Sequence, residues 1–350
     1  MRIAFVYNAP TEDLLLENAE YTINMADSWE TIQAVTEALE SGGHSVTGLN
    51  ADVHLPAKLS EAAQDGRFDI VFNIATGMYG TLPQVHVPAM LEYLRIPHTG
   101  SPILAETLCH HKPTVKLVLR AAKLNTPASQ LFTHGDEPIQ ADLHFPLIVK
   151  LPAEGGSLGM DYNSVVDDEA ALRIQLHRMI GTYHEGALVE EYLDGREFTV
   201  PVLGNDPPYT LSIGELHFWG ERNIRLDEAD PTTLERLNKM TGQNIPFVAT
   251  ACETRAPADV TPGLAAELQQ TALNAYRAIG CQDWARVDLR MDSQGRVHVI
   301  DINLEPGIAP DYAVAKCAYA SSWTFTELIH RILDHAVQRY PALSHEKPAR

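Results

Sequence analysis

In the stretch WARVDLRMDSQGRVHVIDINLEPG, Trp284 to Gly307, an otherwise alternating apolar pattern is interrupted by Asp288, Asp301 and Asn303. DSQG is a turn signal, with Asp and Ser opening the turn and Gly supplying a positive φ. A turn centred there predicts two antiparallel strands in which Asp288 faces Asp301 and Arg286 faces Asn303. Arg286, Asp288 and Arg290 then share one face, and Val287 and Leu289 share the other. Opposed β-carbons lie roughly 5 Å apart, so two facing carboxylates repel unless something compensates them. A divalent cation would do so, and oxygen-only ligands suit magnesium with phosphates completing its shell. A solvated acidic face fits the pattern equally well.

Other segments carry residues of complementary chemistry. LIVKLPAEGGSLGM puts Lys150 at the end of an apolar strand, just before Gly155, Gly156 and Gly159. Backbone N–H groups of such a loop can cradle phosphate, and the lysine adds a point charge. The Gly-Lys-Ser/Thr order of a P-loop is missing, and a surface hairpin would look the same. HHKPTVK places Lys112 and Lys116 at i, i+4 beside a helix start, which also describes an exposed helix face. LVEEYLDGRE sets Glu190, Glu191 and Glu197 around an apolar strand, as acceptors for an adenine amino group and ribose hydroxyls or as solvent-facing acids. His110 and His111 have no third ligand at useful spacing, and the four cysteines lie far apart, without zinc spacing.

The elements that must position these residues follow an α/β (α+β overall) pattern. The first hundred residues alternate strand and helix: RIAFVYN, Ser28 to Ser41, HSVTGLN, a helix near 58–65, FDIVFNI and a helix near 84–94. Such alternation predicts a parallel α/β layer. Pro113 suits the first turn of the next helix. The strands TPASQLFT and FPLIVKL follow, then a helix near 168–180 and the strands GALVEEYL and REFTVPVLGN. Residues 217–260 are polar and rich in turn formers. A helix near 262–279 leads into the 284–307 hairpin, and TFTELIHRILDHAVQRY closes the chain.

At 350 residues the chain is long enough for two or three domains. A formal net charge of −20 argues against a nucleic-acid or anionic-membrane surface, which would need a basic patch. Any anionic ligand must be held by a few placed lysines, arginines and metal ions. No long apolar window or leader-like start is evident, and scattered thiols suit a reducing, cytoplasmic setting.

The order of these segments resembles the ATP-grasp superfamily, and within it the D-alanine–D-alanine ligase-like group. The resemblance covers most of the chain. FDIVFNIATGMYGTLPQVHVPAMLEYLRIPHTG is similar to the segment ending the family's N-terminal domain, and FPLIVKLPAEGGSLGM to its lysine and glycine-loop motif. LVEEYLDGREFTVPVLGN is similar to its nucleotide-binding strand pair, and AYRAIGCQDWARVDLRMDSQGRVHVIDINLEPG to its metal-binding hairpin. The resemblance implies three parts: an N-terminal α/β domain over 1–105, a small ATP-grasp subdomain with the glycine loop over 106–187, and a C-terminal subdomain with the hairpin over 188–345.

It also implies roles. Lys112 and Lys150 match lysines that hold ATP phosphates, with Ser157 in the loop that closes over them. Glu190, Glu191, Leu193 and Glu197 match the adenine and ribose side. Asp288, Asp301 and Asn303 match ligands of two magnesium ions, replaceable by manganese, and Arg286 matches the arginine that steadies a developing oxyanion. The implied activity is ATP-dependent, ADP-forming ligation of a carboxylate to an amine through an acyl phosphate, by a homodimer acting on amino-acid-like substrates.

Departures from the family pattern cluster at the substrate end. Asp301 stands where glutamate is usual, Gly156 replaces the first of two serines, and His111 replaces an aspartate. Tyr312 replaces a serine that meets the second substrate, beside Gly307, Asp311 and Glu305. Glu12 and Glu30 are the nearest counterparts of an amine-binding glutamate. In 217–260, Arg222, Arg225 and Lys239 find no counterpart. Asp311 and Glu305 near the acceptor would suit a cationic or polar amine. D-alanyl-D-alanine synthesis is therefore expected less than ligation of other amino-acid-like molecules. A nucleotide-binding scaffold without catalysis is the alternative. A dinucleotide oxidoreductase ranks far lower, because the first strand lacks a G-x-G-x-x-G turn.

Overall fold

The structure, a computed structural model, describes residues 1–10, 27–78, 82–153, 158–218, 223 and 252–343. Ser157, Gly155, Gly156, Glu12, Arg222, Arg225 and Lys239 lie outside the described residues.

Three sheets organise the chain. The first is parallel, in the order β2 (Ser45–Asn50), β1 (Arg2–Tyr7), β3 (Ile70–Asn73). The expected strand–helix alternation is present. Ser28 caps α1 (Trp29–Ser41) by accepting from Thr31 N, and buried Ile32, Val35 and Leu39 fall at helical spacing. α2 (Leu55–Asp65) and α3 (His86–Tyr93) cover the other face, packing Leu59, Val87 and Leu91 against Ala4, Val6 and Val71.

The second sheet is antiparallel: β4 (Ser129–Phe132), β7 (Ala187–Glu191), β5 (Leu147–Lys150), β6 (Val165–Val166). α6 (Glu169–Tyr183), capped by Asp168, lays Leu172, Leu176 and Met179 on it. The third sheet runs β11 (Cys252–Arg255), β10 (Gly214–Phe218), β8 (Glu197–Leu203), β12 (Trp284–Met291), β13 (Val297–Asn303), with β9 (Tyr209–Thr210) beside β8. Its apolar face takes α7 (Pro262–Ile279), which starts at the Thr261 cap with Pro at its first position and stops at Gly280, φ +80°.

Two helices that the sequence pattern did not reveal flank the sheets. α4 (Ile103–Cys109) precedes α5 (Lys112–Ala121) and packs against β13, and α8 (Ala313–Ala320) follows the hairpin. α9 (Phe325–Gln338) opens with a Thr324–Glu327 capping box and buries Leu328, Ile332 and Ala336 against α1 and the first sheet. Asp283 and Arg339 clamp the same region. Arg339 Nη2 lies 2.7 Å from Asp283 Oδ2 and also donates to the carbonyls of His98 and Gly100.

Candidate active site

β12 is a central strand, and its polar face is read off by its two neighbours. On one side it opposes β8, pairing Arg290 with Glu197 and Asp288 with Thr199. On the other it opposes β13, pairing Asp288 with Asp301 and Arg286 with Asn303, as the turn signal predicts. The turn forms because Asp292 Oδ1 accepts from Gln294 N and Arg296 N at 2.9 Å, while Gly295 takes φ +79°. The predicted register does not run the whole hairpin. A bulge follows Asp288, so that Leu289 pairs with Val299, and the irregularity sits beside Asp301. Bulges of this kind re-aim a side chain.

The solvated-face reading of the hairpin is overturned by burial: Asp288 is 2% exposed and Arg290 6%. Asp288 is compensated within the sheet. Arg286 Nε and Nη2 lie 3.0 and 2.9 Å from its two oxygens, Thr199 Oγ1 donates to Oδ1 at 2.8 Å, and Asn303 Nδ2 to Oδ2 at 3.3 Å. Asp301, half-buried opposite, accepts from Ile302 N at 3.1 Å. Two carboxylates and an amide in cross-strand register form an all-oxygen donor set, which fits magnesium. The shorter Asp301 remains in register with Asp288.

The lysines meet elsewhere. Glu190, 2% exposed, takes Lys116 Nζ on one oxygen at 2.8 Å and Lys150 Nζ on the other at 2.6 Å. Lys116 also donates to Thr126 Oγ1 at 2.8 Å. Burial pushes the Lys116 ammonium down to about 8, with the Lys150 charge adding to the shift and Glu190 opposing it. Burial alone would raise Glu190, but the two lysines outweigh it and hold it below the usual carboxylate range. The sequence motif offered both Lys112 and Lys116, and α5 turns Lys116 inward beside Val115 and Leu119. Lys112 opens α5, its backbone N–H bonded to Pro152 O ahead of the glycine loop.

Glu197 pairs with Arg290 Nη1 at 3.2 Å, and that guanidinium stacks over Tyr192 at 5.1 Å. Leu193 is buried, and Glu191 sits nearer the surface, 3.0 Å from His144 Nδ1. Gly307 is exposed, and a Cβ there would come within 2.5 Å of the Tyr312 ring. Asp311 and Tyr312 are exposed, with Tyr312 just before the first turn of α8, and Glu30 lies exposed on the first turn of α1.

Glu305 behaves differently from its exposed neighbours. It turns inward, where Asn73 Nδ2 donates to its Oε1, and burial raises its carboxyl well above the usual range, helped by the charges of Glu106 and Asp27. Burial also raises Glu106 strongly, and it lifts Asp27 to about 7 against the opposing N–H of Asn8. Asn73, Glu106 and Asp27 were not legible as site residues. Asn73 ends an apolar strand, and Glu106 lies on a helix with no clear periodic signature.

The profile of the family described as D-ala D-ala ligase C-terminus matches residues 119–334. The chain is 31% identical to an uncharacterized protein of Sinorhizobium fredii, y4sG, over 97% of this chain and 98% of that one. It is 30% identical to a D-alanine–D-alanine ligase of Methylorubrum extorquens, covering 87% of this chain and 91% of that one. The fold matches a crystal structure of D-alanine–D-alanine ligase from Bacillus anthracis complexed with ATP, with a TM-score of 0.70 at 21% identity, over 97% of this chain and 98% of that one. With the profile spanning most of the chain and the lysines, acidic strand and hairpin in the family's order, the chain belongs to the D-alanine–D-alanine ligase family of the ATP-grasp superfamily.

Proposed function

We propose that the protein is an ATP-dependent carboxylate–amine ligase, ADP-forming, joining amino acids or amino-acid-like molecules. The observation that carries this reading is the pairing of two kinds of site in one family fold: a lysine pair gathered on buried Glu190, and a hairpin whose acids and amide stand in register. Lysine charges near the glycine loop compensate the phosphates of ATP, which a chain at −20 needs. Asp288, Asp301 and Asn303 would hold magnesium, two ions by family resemblance and replaceable by manganese, which when bound neutralises phosphate charge.

The reaction follows from positioning and charge compensation. The substrate carboxylate attacks the γ-phosphorus, the bond to the β-phosphate oxygen breaks, and ADP leaves. The amine then attacks the acyl phosphate carbon, phosphate departs with the C–O electron pair, and the amine loses a proton. Asp288 holds Arg286 by two hydrogen bonds, so that the guanidinium is oriented before charge develops on the carbonyl oxygen. By the family resemblance, Leu193, Glu191 and Glu197 would serve the nucleotide side and Ser157 the phosphates. Gly307, Asp311, Tyr312 and Glu30 are candidates at the substrate end.

A homodimer in the cytoplasm, built from domains 1–105, 106–187 and 188–345, completes the reading. Free Cys109, Cys252, Cys281 and Cys317 suit a reducing compartment. Among the described residues no helix is long and apolar enough to cross a membrane. The test is ATP-dependent phosphate release across a panel of D- and L-amino acids. Release with pairs other than D-alanine supports the reading. Activity with D-alanine alone would replace it with D-alanyl-D-alanine synthesis, and ATP binding without release across the panel would replace it with a scaffold.

A further inference from the structure

In an open parallel sheet the carboxyl ends of the strands present the ligand crevice. Here Asn73 ends β3, and the chain leaving β13 reaches that edge through the Asn73–Glu305 hydrogen bond. α4, packed against β13, brings Glu106 to the same place and buries it completely, 0% exposed. Among the described residues neither oxygen of Glu106 receives a hydrogen bond, and Glu305 Oε2 receives none either. His110 Nε2 stands 3.4 Å from Glu106 Oε2 as its ion-pair partner. Gln84, on the 3-10 turn that packs against α4, buries a further acceptor oxygen without a donor.

Two carboxylate oxygens without a partner among the described residues, Glu106 Oε1 and Glu305 Oε2, at one sheet edge, ask for a ligand with N–H groups. Leaving a buried acceptor unmet is unfavourable, more so when it is charged. Among the described residues no three His, Cys, Asp or Glu side chains converge as a metal site. An ammonium group fits better: it carries three donors and no acceptor. The place is right for a substrate group. Glu305 lies two residues beyond Asn303, and α4, which carries Glu106, packs against β13, which carries Asp301. The methyl side chain of alanine would leave both glutamates unmet.

We propose that Glu106 and Glu305 form a cation subsite that takes the second ammonium group of a diamino substrate, a basic amino acid or a diamine. The substrate assignment rests on the ligase reading above, whereas the binding of an ammonium group does not. The two are separated by measuring binding and turnover independently.

The experiment is calorimetric titration of the full chain, saturated with magnesium and a non-hydrolysable ATP analogue. The ligands are D- and L-lysine, D- and L-ornithine, 1,4-diaminobutane and, as the neutral isostere, norleucine. At least one diamino ligand should bind at least about tenfold more tightly than norleucine, and Glu106→Gln and Glu305→Gln should each bring that ratio toward one. Glu106→Gln keeps the side-chain shape; if it fails to fold, Glu305→Gln decides. Equal binding of norleucine, no binding of any diamino ligand, or a preference that survives both substitutions overturns the subsite. Preferential binding without phosphate release from ATP sinks the ligase reading and leaves the subsite standing. Phosphate release with neutral amino acids, and no diamino preference, does the reverse.

Discussion

Lys116 Nζ and Glu190 Oε1 lie 2.8 Å apart with each side chain only 3% exposed, and this ion pair joins α5 to β7. Its partner contact, Lys150 to the other oxygen of Glu190, makes one carboxylate the common anchor of two cations. Taking such charges out of water is unfavourable unless all stay paired. The arrangement therefore holds two ammonium groups close together in the absence of any phosphate.

Glu190→Gln should be the most damaging change in that trio. It leaves two lysines facing each other without a counter-charge, at a loss of about 3–5 kcal/mol. Lys116→Met keeps the Lys150–Glu190 contact and should cost less, about 2 kcal/mol. Urea unfolding midpoints check the order, and an inverted order contradicts the anchoring role.

Asp301→Asn should lower ATP-dependent phosphate release about 100-fold, roughly 3 kcal/mol of transition-state stabilisation. Folding should be unchanged or slightly improved, because a like charge opposite Asp288 is removed. Steady-state release over a magnesium titration, alongside thermal melting, checks both halves. Unchanged turnover would remove Asp301 from the metal set.

Asp27 gives stability a pH dependence of predictable sign. Its carboxyl stands at about 7 in the folded chain, from 3.8 as the ordinary value, mainly through burial. Between these values the folded state binds more protons than the unfolded one, so this group favours folding at low pH and the benefit is lost as pH rises toward 7. Asp27→Asn should therefore be more stable than the parent by about 4 kcal/mol at pH 8, with the difference vanishing below about pH 4. Paired urea titrations at pH 4 and pH 8 measure it, and equal differences at both would contradict it.

Arg339→Met should destabilise the chain by about 3–5 kcal/mol. Asp283 is 0% exposed, and Arg339 Nε and Nη2 reach its two oxygens at 2.9 and 2.7 Å. Gly100 N and Asn205 Nδ2 would remain as donors but carry no compensating charge. Thermal melting at neutral pH is the check, and a shift under about 1 °C would mean the clamp is dispensable.

The hairpin shows how far local signals reach. A turn formed by Asp292 and Gly295 sets the pairs next to it, Met291 with Val297 and Leu289 with Val299, and counting on in that register would place Asp288 opposite Ile300. The bulge between Asp288 and Leu289 has no sequence signature, and its one-residue shift is what brings Asp288 opposite Asp301 and Arg286 opposite Asn303. Helical phase is similarly partial. Lys112 and Lys116 are equivalent as spaced cations, and only the packing of α5 against β4, the neighbour of β7, turns Lys116 onto Glu190. The short α4 has too few turns for a clear periodic pattern, so Glu106 gave no signal.

By itself the sequence determined the strand–helix order, the hairpin turn and the chemical types arranged along the chain, because turn chemistry and side-chain periodicity act over a few residues. The tertiary structure decided which charges meet. Glu190 gathers lysines from α5 and β5, Arg290 answers Glu197 across β8 and β12, and Glu305 joins Asn73 over 232 positions of sequence. Burial separates Glu305 from exposed Asp311 six residues on. Such contacts depend on how separate sheets pack, and that packing is set by the summed apolar surface of distant segments rather than by any local motif.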